Sequence, residues 1–167
     1  AGQTTQGTLS VAVGNFAGAT TQGIGCIAIG TSSGTGSQGI NSVAVGRLAG
    51  QTTQGVQSVA IGSAAGKNSQ GTLSVAVGVN AAVTSQGERS VAVGQQAGNN
   101  TQGTYSVGVG YQAGLTSQGS TAVAVGAGAA ATTQGNYAIA VGSSAGQTTQ
   151  GANSVAVGYL AGQSNQA

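Results

Sequence analysis

The chain alternates large and small apolar residues in short bursts. Val11-Ala12-Val13 is the first, and Ile27-Ala28-Ile29, Val43-Ala44-Val45 and seven further copies follow, each 16 residues after the last. A period of two places Val11 and Val13 on one face of a strand, with Ser10, Ala12 and Gly14 on the other. A Gln-Gly pair precedes every burst at the same interval, from Gln6 to Gln150, without an insertion or deletion. Such a constant period decides the architecture before local propensity does, and it is shorter than the about 20–47 residues that helix-containing repeats need.

With Gln as position 1, the unit reads Q-G-x-x-S-V-A-V-G-x-x-A-G-x-T-T. Positions 6 and 8 are Val or Ile in all ten copies, and position 9 is always Gly. Position 7 is Ala except at Gly108, and position 12 is Ala except at Ser33. Positions 3, 4, 10, 11 and 14 vary freely. Glycine numbers 33 and punctuates every unit, and at about 1 kcal/mol each relative to Ala inside a helix it argues against helical coils. Gly at positions 2, 9 and 13 supplies positive φ or close backbone approach. The pattern predicts an all-β protein, a β-solenoid or parallel β-roll of ten 16-residue coils, with strand at positions 5 to 8 and Val/Ile turned inward. Residues 1–167 read as one repeat array, with complete units over 6–165 and partial units at both ends. Neither terminal coil carries a polar cap, which reads as an excerpt of a longer, processed chain.

The second strand is predicted around the Thr-Thr-Gln arm. Position 14 varies and holds Lys67, so it points outward. Alternation then turns positions 15 and 1 inward and position 16 outward. On that reading Gln6, Gln22, Gln38, Gln54, Gln70, Gln86, Gln102, Gln118, Gln134 and Gln150 form an interior stacking column. Their amides would bond either the coils above and below or the backbone of the adjacent corner.

The twenty Val and Ile side chains at positions 6 and 8 are a thin core for 167 residues. The opposite face of the first strand would then offer a strip of small residues, built on Ala12, Ala28, Ala44, Ala60, Ala76, Ala92, Ala124, Ala140 and Ala156. A solvent-facing strand normally carries longer polar side chains. The strip is therefore the candidate interface between chains, with self-association expected as a trimer or otherwise.

Composition narrows function mainly by exclusion. Only 2% of residues are charged, and the formal net charge is +2, which makes no basic footprint for nucleic acid. Arg47, Lys67, Glu88 and Arg89 all occupy variable positions, as expected of side chains that face water. There is no His and a single acid, so no catalytic, cofactor-binding or metal residues are assigned, no cofactor is expected, and catalysis is not expected. The segment around Lys67 echoes a phosphate loop, but its glycine spacing is one short and Asn68 stands where Ser or Thr should be. Cys26 replaces the usual Ser at position 5, either as a small residue of the strip or as a point where symmetry-related copies approach. Asn99-Asn100-Thr101 makes a glycosylation sequon, a weak signal in a chain rich in both residues. Phe16, Tyr105, Tyr111, Tyr137 and Tyr159 lie beside the corners, where aromatic rings either cover the turn or contact a sugar or protein.

Repeated SVAVG and SVAIG with small-residue corners, as in NSVAVGRLAG from Asn41 and QSVAIGSAAG from Gln57, resemble the head repeats of trimeric autotransporter adhesins of the YadA type. They also resemble related repeats in phage and large-virus fibres. The resemblance implies a left-handed parallel β-roll, three of which pack around an axis into a rod exposed on a cell or virion surface. The expected function is thus a shaft or head segment of an extracellular or virion surface fibre, with an adhesive role open. Two alternatives stand beside it, a self-assembling extracellular filament and an ice-binding protein. Against the latter, strand alternation would turn adjacent Thr residues to opposite faces. The expected partner is the chain itself, as homotrimer or filament, with a cell-surface glycan or protein as a further candidate. No membrane insertion by this segment is expected.

Overall fold

The structure, a computed structural model, describes residues 1–165, so the partial unit at 166–167 lies outside it. The described residues are all-β, without helix, and form a parallel β-solenoid of about ten turns. Each turn contributes one two-residue strand and one three-residue strand. The short strands run from Thr5–Gln6 to Thr149–Gln150 and stack into one ten-stranded sheet. The long strands run from Val11–Val13 to Val155–Val157 and make the other. Pairing is parallel and in register throughout, with Val75 opposite Val91, Ala76 opposite Ala92 and Val77 opposite Val93. Every residue thus sits above its counterpart one unit away, at the strand spacing of about 4.8 Å.

Backbone bonds between coils run in both directions. Val91 N donates to the Ser106 carbonyl of the next coil at 2.9 Å, while Gly94 N donates to the Val77 carbonyl of the preceding one at 2.8 Å. Two tight turns per coil link the strands, spanning positions 2–5 and 9–12 and seen in Ser42 N to Gly39 O and Ala49 N to Gly46 O, both 3.3 Å. The third residue of each turn has positive φ, although it is usually not Gly: Leu48 has φ 61°, Tyr105 58° and Thr121 57°. The left-handed region costs an ordinary residue about 1–2 kcal/mol. Bonds to the preceding coil hold it there, as when Tyr105 N donates to Glu88 O at 3.0 Å. Position 9 has no such latitude. Gly94 has φ 128°, and a Cβ there would lie 2.5 Å from the Gly110 carbonyl oxygen.

The orientation of the long strand reverses the sequence expectation. Ala28, Ala44, Ala60, Ala76, Ala92, Ala124 and Ala140 are 0% exposed within the single chain. Ala156 is also buried, and Ala12, in the first coil, is half-buried. The Ala column therefore lies inside the coil and forms no outward strip. Val and Ile at positions 6 and 8 point outward, exposed in the first and last coils and at Ile29, Ile61 and Ile139, and half-buried elsewhere. The physical reason is the width of the coil. Two strands of two and three residues joined by tight turns enclose room only for Ala at positions 7 and 12, Ser at position 5 and one Gln amide. A Cβ on Gly98 would already come within 3.4 Å of the Ala92 Cβ. The same geometry overturns the inward placement of position 15, since Thr20, Thr52, Thr84, Thr132 and Thr148 are exposed.

Candidate interaction surface

The Gln column is interior from Gln22 to Gln150, whereas Gln6 is exposed in the first coil. Each buried Gln spans the coil. Gln86 Nε2 donates to the Val75 carbonyl of the preceding coil at 2.7 Å and to the Ser90 carbonyl of its own at 3.3 Å. The same pair of acceptors recurs for Gln54 and Gln70. Direct amide-to-amide bonds occur from Gln102 to Gln118 and from Gln134 to Gln150, both at 3.2 Å. The Gln side chains thus serve mainly as struts between the two sheets. Their carbonyl oxygens, from Gln22 through Gln102 and at Gln134, accept no hydrogen bond from the described residues.

Ser at position 5 closes the turn that precedes the long strand. Ser74 and Ser90 are fully buried, and their hydroxyls donate to the Gly71 and Gly87 carbonyls at 2.6 Å. Cys26 takes the same place, with Sγ 2.8 Å from the Gly39 carbonyl oxygen and 3.6 Å from Ser42 Oγ. It is 0% exposed inside the coil, so copies of the chain do not meet there.

What the coil turns outward differs between the sheets. The long-strand sheet presents two columns of β-branched residues, such as Val75, Val91 and Val107 beside Val77, Val93 and Val109. The short-strand sheet presents Thr or Ser at position 16, among them Thr21, Thr53, Thr101, Thr133 and Thr149, all exposed. Adjacent Thr residues at positions 15 and 16 therefore face solvent together. Their array is nonetheless irregular, interrupted by Gly36, Asn68 and Asn100 in one column and by Ser37, Ser69 and Ser85 in the other.

The corners carry the remaining candidates. Phe16, Tyr105, Tyr111, Tyr137 and Tyr159 are all exposed. Tyr105 is engaged by Arg89, whose Nη1 donates to its hydroxyl at 2.7 Å and whose guanidinium lies 5.5 Å from the ring centre. Arg89 also pairs with Glu88 at 3.0 Å. Asn99 Nδ2 donates to the Asn80 carbonyl at 2.7 Å, so the sequon side chain is already tied to the turn below it. Tyr111 borders a shallow cleft with Ala127, Gly128 and Ser143. Among the described residues no three His, Cys, Asp or Glu gather as a metal site, and no helix is long and apolar enough to cross a membrane.

A parallel β-solenoid with an apolar outer sheet and an alanine interior is the class these features define. Within it, residues 69–97 match the YadA head domain repeat in two copies, so the resemblance read from the pentapeptide is found independently over that stretch. No curated protein matches the chain.

Proposed function

We propose that the chain is a structural segment of a surface fibre, built by self-association through the outward Val/Ile face of the long-strand sheet. The observation that carries this reading is the face itself. Ten strands at about 4.8 Å, each with three residues of about 3.3 Å, span about 48 Å by 10 Å, on the order of 500 Å². An apolar patch of that size on a monomer is commonly an interaction site. Ile24, Ile40, Val56 and Leu73, exposed on the turn that precedes the strand, extend it toward the about 800 Å² per partner of a stable interface.

The match at 69–97 covers part of the chain, but the same unit repeats in register from Gln6 to Asn165. The reading is therefore extended to the whole array, as three copies around an axis on a cell or virion surface. Such a segment works by shape and spacing, not catalysis. Adhesion along its length belongs to the same proposal.

Light scattering coupled to size exclusion tests it. The parent chain is expected to run as a defined assembly, and Val75→Lys/Val91→Lys/Val107→Lys to run as a monomer that keeps its β circular dichroism. Thr101→Lys/Thr133→Lys, on the other sheet, should leave the mass unchanged. A monomeric parent chain would refute self-association through this face.

A further inference from the structure

We infer that the corner at Tyr111 is a binding site for a single neutral pyranose ring. The variable positions 10 and 11 form two columns along that corner, occupied in other coils by residues such as Arg47-Leu48 and Val79-Asn80. At the eighth coil they shrink to Ala127-Gly128, between Tyr111-Gln112 and Ser143-Ser144. The side chains leave a cleft of about 220 Å³ bordered by these residues and Gln147. Gly128 is one of the residues that line it. A Cβ built there would meet only Ser144 Oγ at 3.5 Å and Gln147 Nε2 at 3.8 Å, so the backbone does not require the space to be empty.

The lining has the chemistry of a sugar site. Tyr111 is 50% exposed and supplies an aromatic face for the C–H side of a ring. Gln112 Nε2 donates to Gln96 Oε1 at 3.0 Å, which leaves Gln112 Oε1 as an acceptor. Gln147 Oε1 accepts from Gln163 Nε2 at 3.1 Å, which leaves Gln147 Nε2 as a donor. Both amides are thus fixed by neighbouring coils, while their unused atoms and the Ser143 and Ser144 hydroxyls can meet alcohol groups, which both donate and accept. No charged side chain borders the cleft, which disfavours acidic sugars and phosphates. The volume lies below the about 300–1,000 Å³ of sites for drug-sized ligands, fitting one ring.

This inference goes beyond the fibre reading and does not depend on assembly. Saturation-transfer NMR on the full chain tests it, with the methyl glycosides of galactose, glucose and mannose as probes. At least one should receive magnetisation with millimolar affinity. Tyr111→Ser should weaken that binding about tenfold, the loss expected for an aromatic contact. Gly128→Leu should abolish it, because Leu fills the cleft at a backbone angle that Leu48 and Leu160 already hold at the same position. Should that variant misfold by circular dichroism, Ala127→Tyr, which repeats the residue of Tyr111 and Tyr159, takes its place. Tyr137→Ser, on the other corner and 61% exposed in the parent, should bind normally. Absence of transfer to all three glycosides, or unchanged binding when the cleft is filled, overturns the proposal whatever the mass of the assembly.

Discussion

Ala92→Leu inserts three extra carbons into an interior whose long side chains, the buried Gln86 and Gln102, are held by hydrogen bonds to the Val75 and Val91 carbonyls. Ala92 is 0% exposed, stacked between Ala76 and Gly108, and the atoms around it are alanine methyls, backbone and hydrogen-bonded Gln amides. Overpacking typically costs about 1–3 kcal/mol. The upper end applies here, since relief requires parting two coils at the Val91 N to Ser106 O and Gly94 N to Val77 O bonds. For a chain of this length about 3 kcal/mol lowers Tm by about 6–12 °C. Its partner substitution is Val93→Ala. That change removes two methyl groups from a half-covered surface and should cost below about 1 kcal/mol. Thermal unfolding followed by far-UV circular dichroism compares the two, repeated at about tenfold higher concentration to separate assembly from folding. Were Val93 inside and Ala92 outside, the ranking would invert. A Val93→Ala loss larger than that of Ala92→Leu, at the lower concentration, would refute the assignment of faces.

Two further substitutions probe the turns. Gly94→Ala should cost about 3 kcal/mol or more, read as a lower urea midpoint, because φ 128° and the Gly110 carbonyl at 2.5 Å from the new Cβ both oppose it. Thr121→Gly should stabilise by about 1 kcal/mol, read as a higher midpoint, since a β-branched residue at φ 57° is released from the left-handed region.

Much of the solenoid was legible because its period is strict. Gln-Gly spacing set the number of coils, and the Val-Ala-Val alternation located the long strand. Gln22 through Gln150 lie inside, as alternation within the Thr-Gln strand places them, but the phase taken from Lys67 at position 14 does not carry that result, because it runs through position 15. The faces of the long strand were misread because the usual rule that large apolar residues are buried assumes an interior able to hold them. A signal was present in the sequence itself: Val and Ile exchange at positions 6 and 8, while position 7 admits nothing larger than Ala. That is the pattern of a space limit, with the more permissive column outside. The inward reading of Thr52 and its equivalents failed for a related reason. Its short strand is only Thr53–Gln54, so position 15 already belongs to the bend and escapes alternation. The Tyr111 cleft could not be read from one unit, because it arises where three successive coils differ.

In-register stacking has a mechanical consequence. A pull that separates the two chain ends loads the coils one after another, because each is bonded only to the one above and the one below. Peeling a coil frees 16 residues, about 56 Å of extended chain at about 3.5 Å each, in exchange for about 4.8 Å of rod. The segment then yields in near-equal steps of about 51 Å. A single chain behaves under tension as a staircase extender, and side-by-side copies that share the load turn that staircase into a stiff cable.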